Sequence, residues 1–155
     1  MKEFEGSPCY AFFRVQSAGV LDFWKGCLPA EKSVFPPEEV TRLLELAPFR
    51  SHAAGDLRPD GKSRYNFSAW YGCGQAEPAV SRFDQCGRIV QALSPRIPAL
   101  LEIQARYNVA FSIQIFPCDG NPDCSVIGFT REIIDFCHRT GTEIVVDLFL
   151  YGSGQ

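Results

Sequence analysis

Seven cysteines and two histidines are the side chains of this 155-residue chain best suited to bind a metal or attack a substrate. Their spacing decides how far either idea goes. Cys9, Cys27, Cys73, Cys86, Cys118, Cys124 and Cys137 include no C-x-x-C pair. Structural zinc sites use such close pairs to bring thiolates within ~2.3 Å of one ion. Cys118 and Cys124 come nearest, flanking Asp119, Gly120, Asn121, Pro122 and Asp123. That segment reads as a turn-rich loop with two incidental thiols, against the alternative of a metal site or redox pair. The expectation is therefore no metal, no cofactor and no required disulfide.

A nucleophilic Cys or Ser needs a base, and only His52 and His138 are available. His138 falls late in an amphipathic stretch, where a cation suits the negative end of a helix. His52 precedes Gly55, Asp56 and Arg58 in a segment read as a loop, so His52, Asp56 and Arg58 form a loop candidate for a polar pocket. No residue is assigned a catalytic role, and the chain reads as leaning away from an enzyme. Gly55-Asp56 and Asp60-Gly61 are turn signals, and Tyr71-Gly72-Cys73-Gly74 matches neither a phosphate loop nor a dinucleotide fingerprint.

The elements that must position these groups occur twice. Near the N-terminus the pattern predicts a strand over Tyr10–Ser17, a helix over Pro36–Leu46 and a strand over Arg64–Tyr71. Near the C-terminus it predicts a strand over Val109–Phe116, a helix over Thr130–Arg139 and a strand over Ile144–Tyr151, the last apolar on nearly both sides and so expected to be central. Pro36-Pro37 and Glu38-Glu39 suit the start of the first helix, with Pro48 as its stop. Thr130 and Gly141 suit the ends of the second, which would bury Ile133, Ile134 and Cys137. Val80, Phe83, Ile89, Val90 and Leu93 share one helical face until Ser94-Pro95 interrupts it. A second piece then runs from near Pro98 to Tyr107, carrying Leu100, Leu101 and Ile103.

Two strand–helix–strand units joined by a helical connector predict an α+β fold with a mainly antiparallel sheet, helices on one face, and a ferredoxin-like outline. The strand parities predict that the uncovered face presents Arg14, Arg64, Ser68, Trp70, Ser112, Gln114, Asp147 and Tyr151. Asp147 cannot be buried alone at reasonable cost, so Arg14 or Arg64 is its expected counter-ion. Trp70, Phe149 and Tyr151 would form an apolar patch that pairs with a partner, unless an inserted loop over 19–35 folds across it.

The chain reads as a single domain, 1–155, with 46% hydrophobic and 21% charged residues, an ordinary globular balance. A net charge of −3 and the lack of a dense basic block argue against nucleic acid. The first residues lack the order of a signal peptide, and no segment has the roughly 20 apolar residues needed to span a bilayer, so a cytoplasmic location without membrane contact is expected.

The strand YAFFRVQS, the helix entry PPEEVTRLLELAP, the stretch GDLRPDG, the FSAW tryptophan, the connector LSPRIPALLEIQARY, the strand VAFSIQIF and the ending TGTEIVVDLFLY occur in that order. Together they resemble a bacterial family known as domain of unknown function 4279 from Tyr10 to Tyr151, with the 19–35 insertion as a departure. The resemblance implies a fold and a bacterial origin, and carries no activity.

Thirteen Phe, five Tyr and two Trp, together with Arg14, Arg64, Trp70, Gln114, Asp147 and Tyr151 on one expected face, point to a non-enzymatic protein-interaction module. Its partner would be a second copy, as a homodimer, or another protein, as for an immunity-type neutralising protein. A small-molecule-binding regulatory domain is the alternative, and a hydrolase or thiol enzyme the third reading.

Overall fold

Alternation of apolar and polar residues produces the two long strands at the centre of the sheet. The computed structural model describes residues 10–18, 34–74, 82–116 and 128–146. The elements are β1 (Tyr10–Ser17), α1 (Pro37–Leu44), β2 (Arg50–His52), β3 (Ala69–Gly72), α2 (Arg82–Leu93), a 3-10 turn (Ser94–Arg96), α3 (Ile97–Arg106), β4 (Val109–Phe116), α4 (Arg131–Thr140) and β5 (Glu143–Val146). Strands β1 and β4 pair antiparallel over their whole length, from Tyr10 opposite Phe116 to Ser17 opposite Val109. Both match their expected bounds.

The sheet order is β2-β3-β1-β4-β5. Because β3 is antiparallel to both β1 and β2, the strands β1 and β2 run the same way with β3 between them. By the same logic β3 and β4 are parallel with β1 between them, joined by the α2–α3 connector. These four strands have the split β-α-β order of a ferredoxin-like sheet, to which α4 and the parallel β5 add one more strand. The fold is α+β as expected, but the internal repeat is built differently. The partner of β1 across α1 is β2, not the expected strand over Arg64–Tyr71. Strand β5 lies at the edge of the described sheet rather than in its centre; Asp147 and Tyr151, the 19–33 part of the insertion and the Cys118–Cys124 loop lie outside the described residues.

The helices cover one face. From β1 and β4, Ala11, Phe13, Val15, Phe111, Ile113 and Ile115 turn inward. They meet Val40 and Leu44 of α1, Ile89 and Leu93 of α2, Leu100 and Ile103 of α3, and Ile133 and Phe136 of α4. Each of these side chains is at most 2% exposed. At about 25 cal/mol per Å² of apolar surface, this layer supplies the main drive to fold.

Local signals set the ends. Pro36 is extended and Pro37 opens α1, while a left-handed Glu45 closes it ahead of Pro48. The Arg96 guanidinium donates to the carbonyls of both Leu44 and Ala92, answering orphan acceptors at the ends of α1 and α2. The Thr130 side chain accepts from Ile133 N–H at 3.3 Å, and Gly141 closes α4 at φ 69°. Helix α4 buries Phe136 instead of Ile134, which is 57% exposed.

Trp70 overturns one expectation outright. It sits opposite Val15, is fully buried on the helix-covered face, and its indole N–H donates to Thr41 Oγ1 of α1 at 3.0 Å. Gly72 is small because a Cβ there would fall on that indole ring. The strand over Arg64–Tyr71 assumed unbroken alternation, which would have placed Trp70 beside Arg64. The chain instead turns through 53–68: Asp60 accepts from the backbone of Lys62 and Ser63, and Leu57 bridges to Arg64. Only Ala69–Gly72 enters the ladder, with Trp70 and Gly72 inward and Tyr71 outward.

Candidate binding face

Register across the five strands places Arg50, Tyr71, Arg14, Ser112 and Glu143 in one row, on the face away from the helices. The two guanidiniums converge on Tyr71. Arg50 stands 5.6 Å from the ring centroid, and Arg14 is in hydrogen-bonding contact with the phenol. Burial pulls the Arg14 pKa down, opposed by that contact, and pushes the Tyr71 pKa up. Arg14 is charged and partly buried, yet its Nε has no hydrogen-bond partner among the described residues.

The row continues outward as a run of rings and guanidiniums. Phe12 packs edge-on against Phe49 and Tyr71, at 5.4 and 5.7 Å between centroids. Arg50 also donates to the Tyr65 hydroxyl at 3.0 Å, and Arg58 lies 4.6 Å from the Tyr65 centroid. Loop 53–68 thus folds back on the sheet edge, with Tyr65 stacked on His52 at 3.5 Å and Phe67 edge-on to it at 4.9 Å.

His52 belongs to strand β2, not to a loop. It is 6% exposed, and among the described residues neither ring nitrogen has a partner in good hydrogen-bond geometry. Burial, reinforced by the nearby Arg50 charge, pushes its pKa down to about 4, so the imidazole is neutral at pH 7. Asp56 accepts from Ala53 N–H at 2.8 Å and acts as a turn cap. Arg64 donates to the Gly55 carbonyl from the loop and does not lie on the sheet. Gln114 does face this side, where it is buried and donates to Ser112 Oγ at 2.9 Å.

The arrangement therefore joins the loop candidates His52 and Arg58 to Arg14 and Gln114, and leaves out Trp70 and Arg64. Sequence reasoning missed Arg50, Tyr65 and Tyr71. Arg50 sits in a strand too short to alternate, and unbroken alternation through Arg64–Tyr71 puts Tyr71 on the helix-covered face. Nor is this face open as expected, since Phe12, Gln16, Ser112 and Gln114 are each no more than 8% exposed.

The chemistry on offer is recognition by donors and rings. Among the described residues the ion pairs lie on the helical side, where Glu39 takes Arg42 and Arg106, and Glu102 takes Arg106. None reaches Arg14, Arg50, Arg58 or Arg64. Burial raises the Cys73 thiol to about 11 and also raises Cys137, so both are protonated and poor nucleophiles at pH 7. The groups of three or more His, Cys, Asp or Glu that would hold a metal do not occur among the described residues, nor does a helix long and apolar enough to cross a membrane.

Fold and face together define an α+β sheet protein with an arginine–aromatic surface. The family model for DUF4279, a domain of unknown function, matches residues 8–151, and the chain belongs to that family. No curated protein and no solved structure matches it.

Proposed function

We propose that this chain is a non-enzymatic protein-interaction module that engages its partner through the β2 edge and loop 53–68. One observation carries the reading: Phe49, Tyr71, Arg50, Tyr65 and Arg58 form a continuous run of contacts at the sheet edge, with no carboxylate pairing the arginines among the described residues. Tyr and Arg are the residue types that dominate binding hot spots. Phe49 and Leu57, 44% and 53% exposed, supply apolar anchors on the same edge. The partner is either a second copy of this chain or another protein, and it presents acidic groups among apolar ones. A small-molecule-binding regulatory domain is the second reading, favoured by the buried polar centre of Arg14, Ser112 and Gln114.

A photoreactive amino acid placed at Leu57, with one at the exposed helical Ile134 as control, tests this in living cells. The expected result is a discrete cross-linked band from Leu57 and none from Ile134. Its mass separates a homodimer from a complex with another protein. Equal cross-linking from both positions, or from neither, contradicts the reading.

A further inference from the structure

We infer that Arg14, Arg50, Tyr65 and Tyr71 form an oxyanion-binding site for a carboxylate or phosphate group. This deepens the interaction reading by naming the chemistry that binds, and rests on it only for the claim that a protein carries the group.

Hydrogen-bond donors outnumber acceptors in this cluster. Arg14 and Arg50 flank Tyr71 from β1 and β2, its register partners on either side, with the Arg50 guanidinium 5.6 Å from the ring centroid. The Tyr65 oxygen accepts from Arg50, and the Tyr71 phenol is bonded to Arg14. A phenol that accepts from a guanidinium still has its own O–H to give. Among the described residues neither hydroxyl proton meets an acceptor, and Arg14 Nε is a buried donor without a partner. Buried charges are ordinarily paired, and planar guanidiniums fit carboxylate and phosphate oxygens two at a time. An acceptor-rich anion suits this set of donors. Arg50 reaches both rings, donating to the Tyr65 hydroxyl at 3.0 Å and lying 5.6 Å from the Tyr71 centroid, which gathers these groups at one end of the row that holds Arg14. Arg50 is exposed and gives that locus a solvent-facing side.

The test is a titration of the full chain with sodium malonate and, separately, sodium phosphate, reading the arginine Nε–Hε resonances by NMR against sodium chloride at matched ionic strength. The Arg14 and Arg50 signals are expected to shift saturably with malonate, phosphate or both, and not with chloride. The tighter of the two identifies the group as carboxylate or phosphate. Arg50→Gln, at an exposed position that leaves the core intact, should weaken binding by roughly tenfold or more, and Tyr71→Phe by a few-fold. Arg14→Gln removes a partly buried group and serves only where circular dichroism shows it folded. No saturable shift, an equal shift in chloride, or binding indifferent to Arg50→Gln overturns the proposal. A response to anions without any cross-link at Leu57 leaves this site standing and removes the protein partner; a cross-link without an anion response does the reverse.

Discussion

Trp70→Ala is expected to lower unfolding stability by about 3–5 kcal/mol, the range for removing a large, fully buried aromatic side chain. The indole is 0% exposed and packs in the core between sheet and helices. The change also strips Thr41 Oγ1 of its donor, while Gly72, which leaves room for the ring, has no side chain to refill the space. Urea denaturation at pH 7 measures the effect. Trp70→Phe should lose less, keeping part of the ring volume but not the hydrogen bond. A loss under about 1 kcal/mol for Trp70→Ala would put the ring at the surface, where unbroken alternation through Arg64–Tyr71 had placed it.

Stability should also fall as the pH is lowered from 6.5 towards 4, because of His52. Unfolded, its imidazole takes up a proton near 6.5; folded, only at about 4. Between those values the unfolded chain binds more protons, so the His52 contribution is complete above about pH 6.5 and gone below about pH 4. The charges facing the ring are Arg50 and Arg58, which oppose protonation, and Asp56, which favours it. The ring is stacked on Tyr65, and the Phe67 backbone, which also favours protonation, is outweighed by burial and the Arg50 charge. Each pKa unit corresponds to about 1.4 kcal/mol, giving a loss of about 3 kcal/mol between pH 7.5 and 4. Comparing the wild type with His52→Phe, which keeps an aromatic ring against Tyr65, separates this term from the carboxylates. The difference in unfolding free energy between the two should change by that amount between pH 7.5 and 4, and a constant difference would mean His52 titrates normally in the fold.

Much of the fold is legible in the sequence because its strongest signals are local and redundant. Strands β1 and β4 alternate over eight residues each, and α4 is marked at both ends by Thr130 and Gly141. The binding face is less legible because it depends on pairing. Nothing inside Arg50-Ser51-His52 announces a strand, as only His52 is buried and the segment is held by β3. In Arg64–Tyr71, Tyr65 and Phe67 alternate as a strand would, but they serve a loop that closes over His52. One misplaced strand start reversed the parity of Trp70 and Tyr71 together, since side chains alternate with a period of two. Arg14 and Gln114 lie on the face that alternation predicts for them because their strands are long enough to fix register alone.

The account's central claim is that recognition belongs to the arginine–aromatic face, not to the helical layer or to Trp70. It is tested most directly by measuring the affinity of the partner captured at Leu57 for wild type, Arg50→Glu, Arg58→Glu and the helical control Ile134→Ser, each over a series of salt concentrations. Paired charges at an interface govern association and its salt dependence. The account predicts that either arginine reversal weakens binding by more than about tenfold and flattens its response to salt, with Ile134→Ser unchanged. Arginine reversals that leave affinity within about twofold, with binding lost in Ile134→Ser, would contradict it.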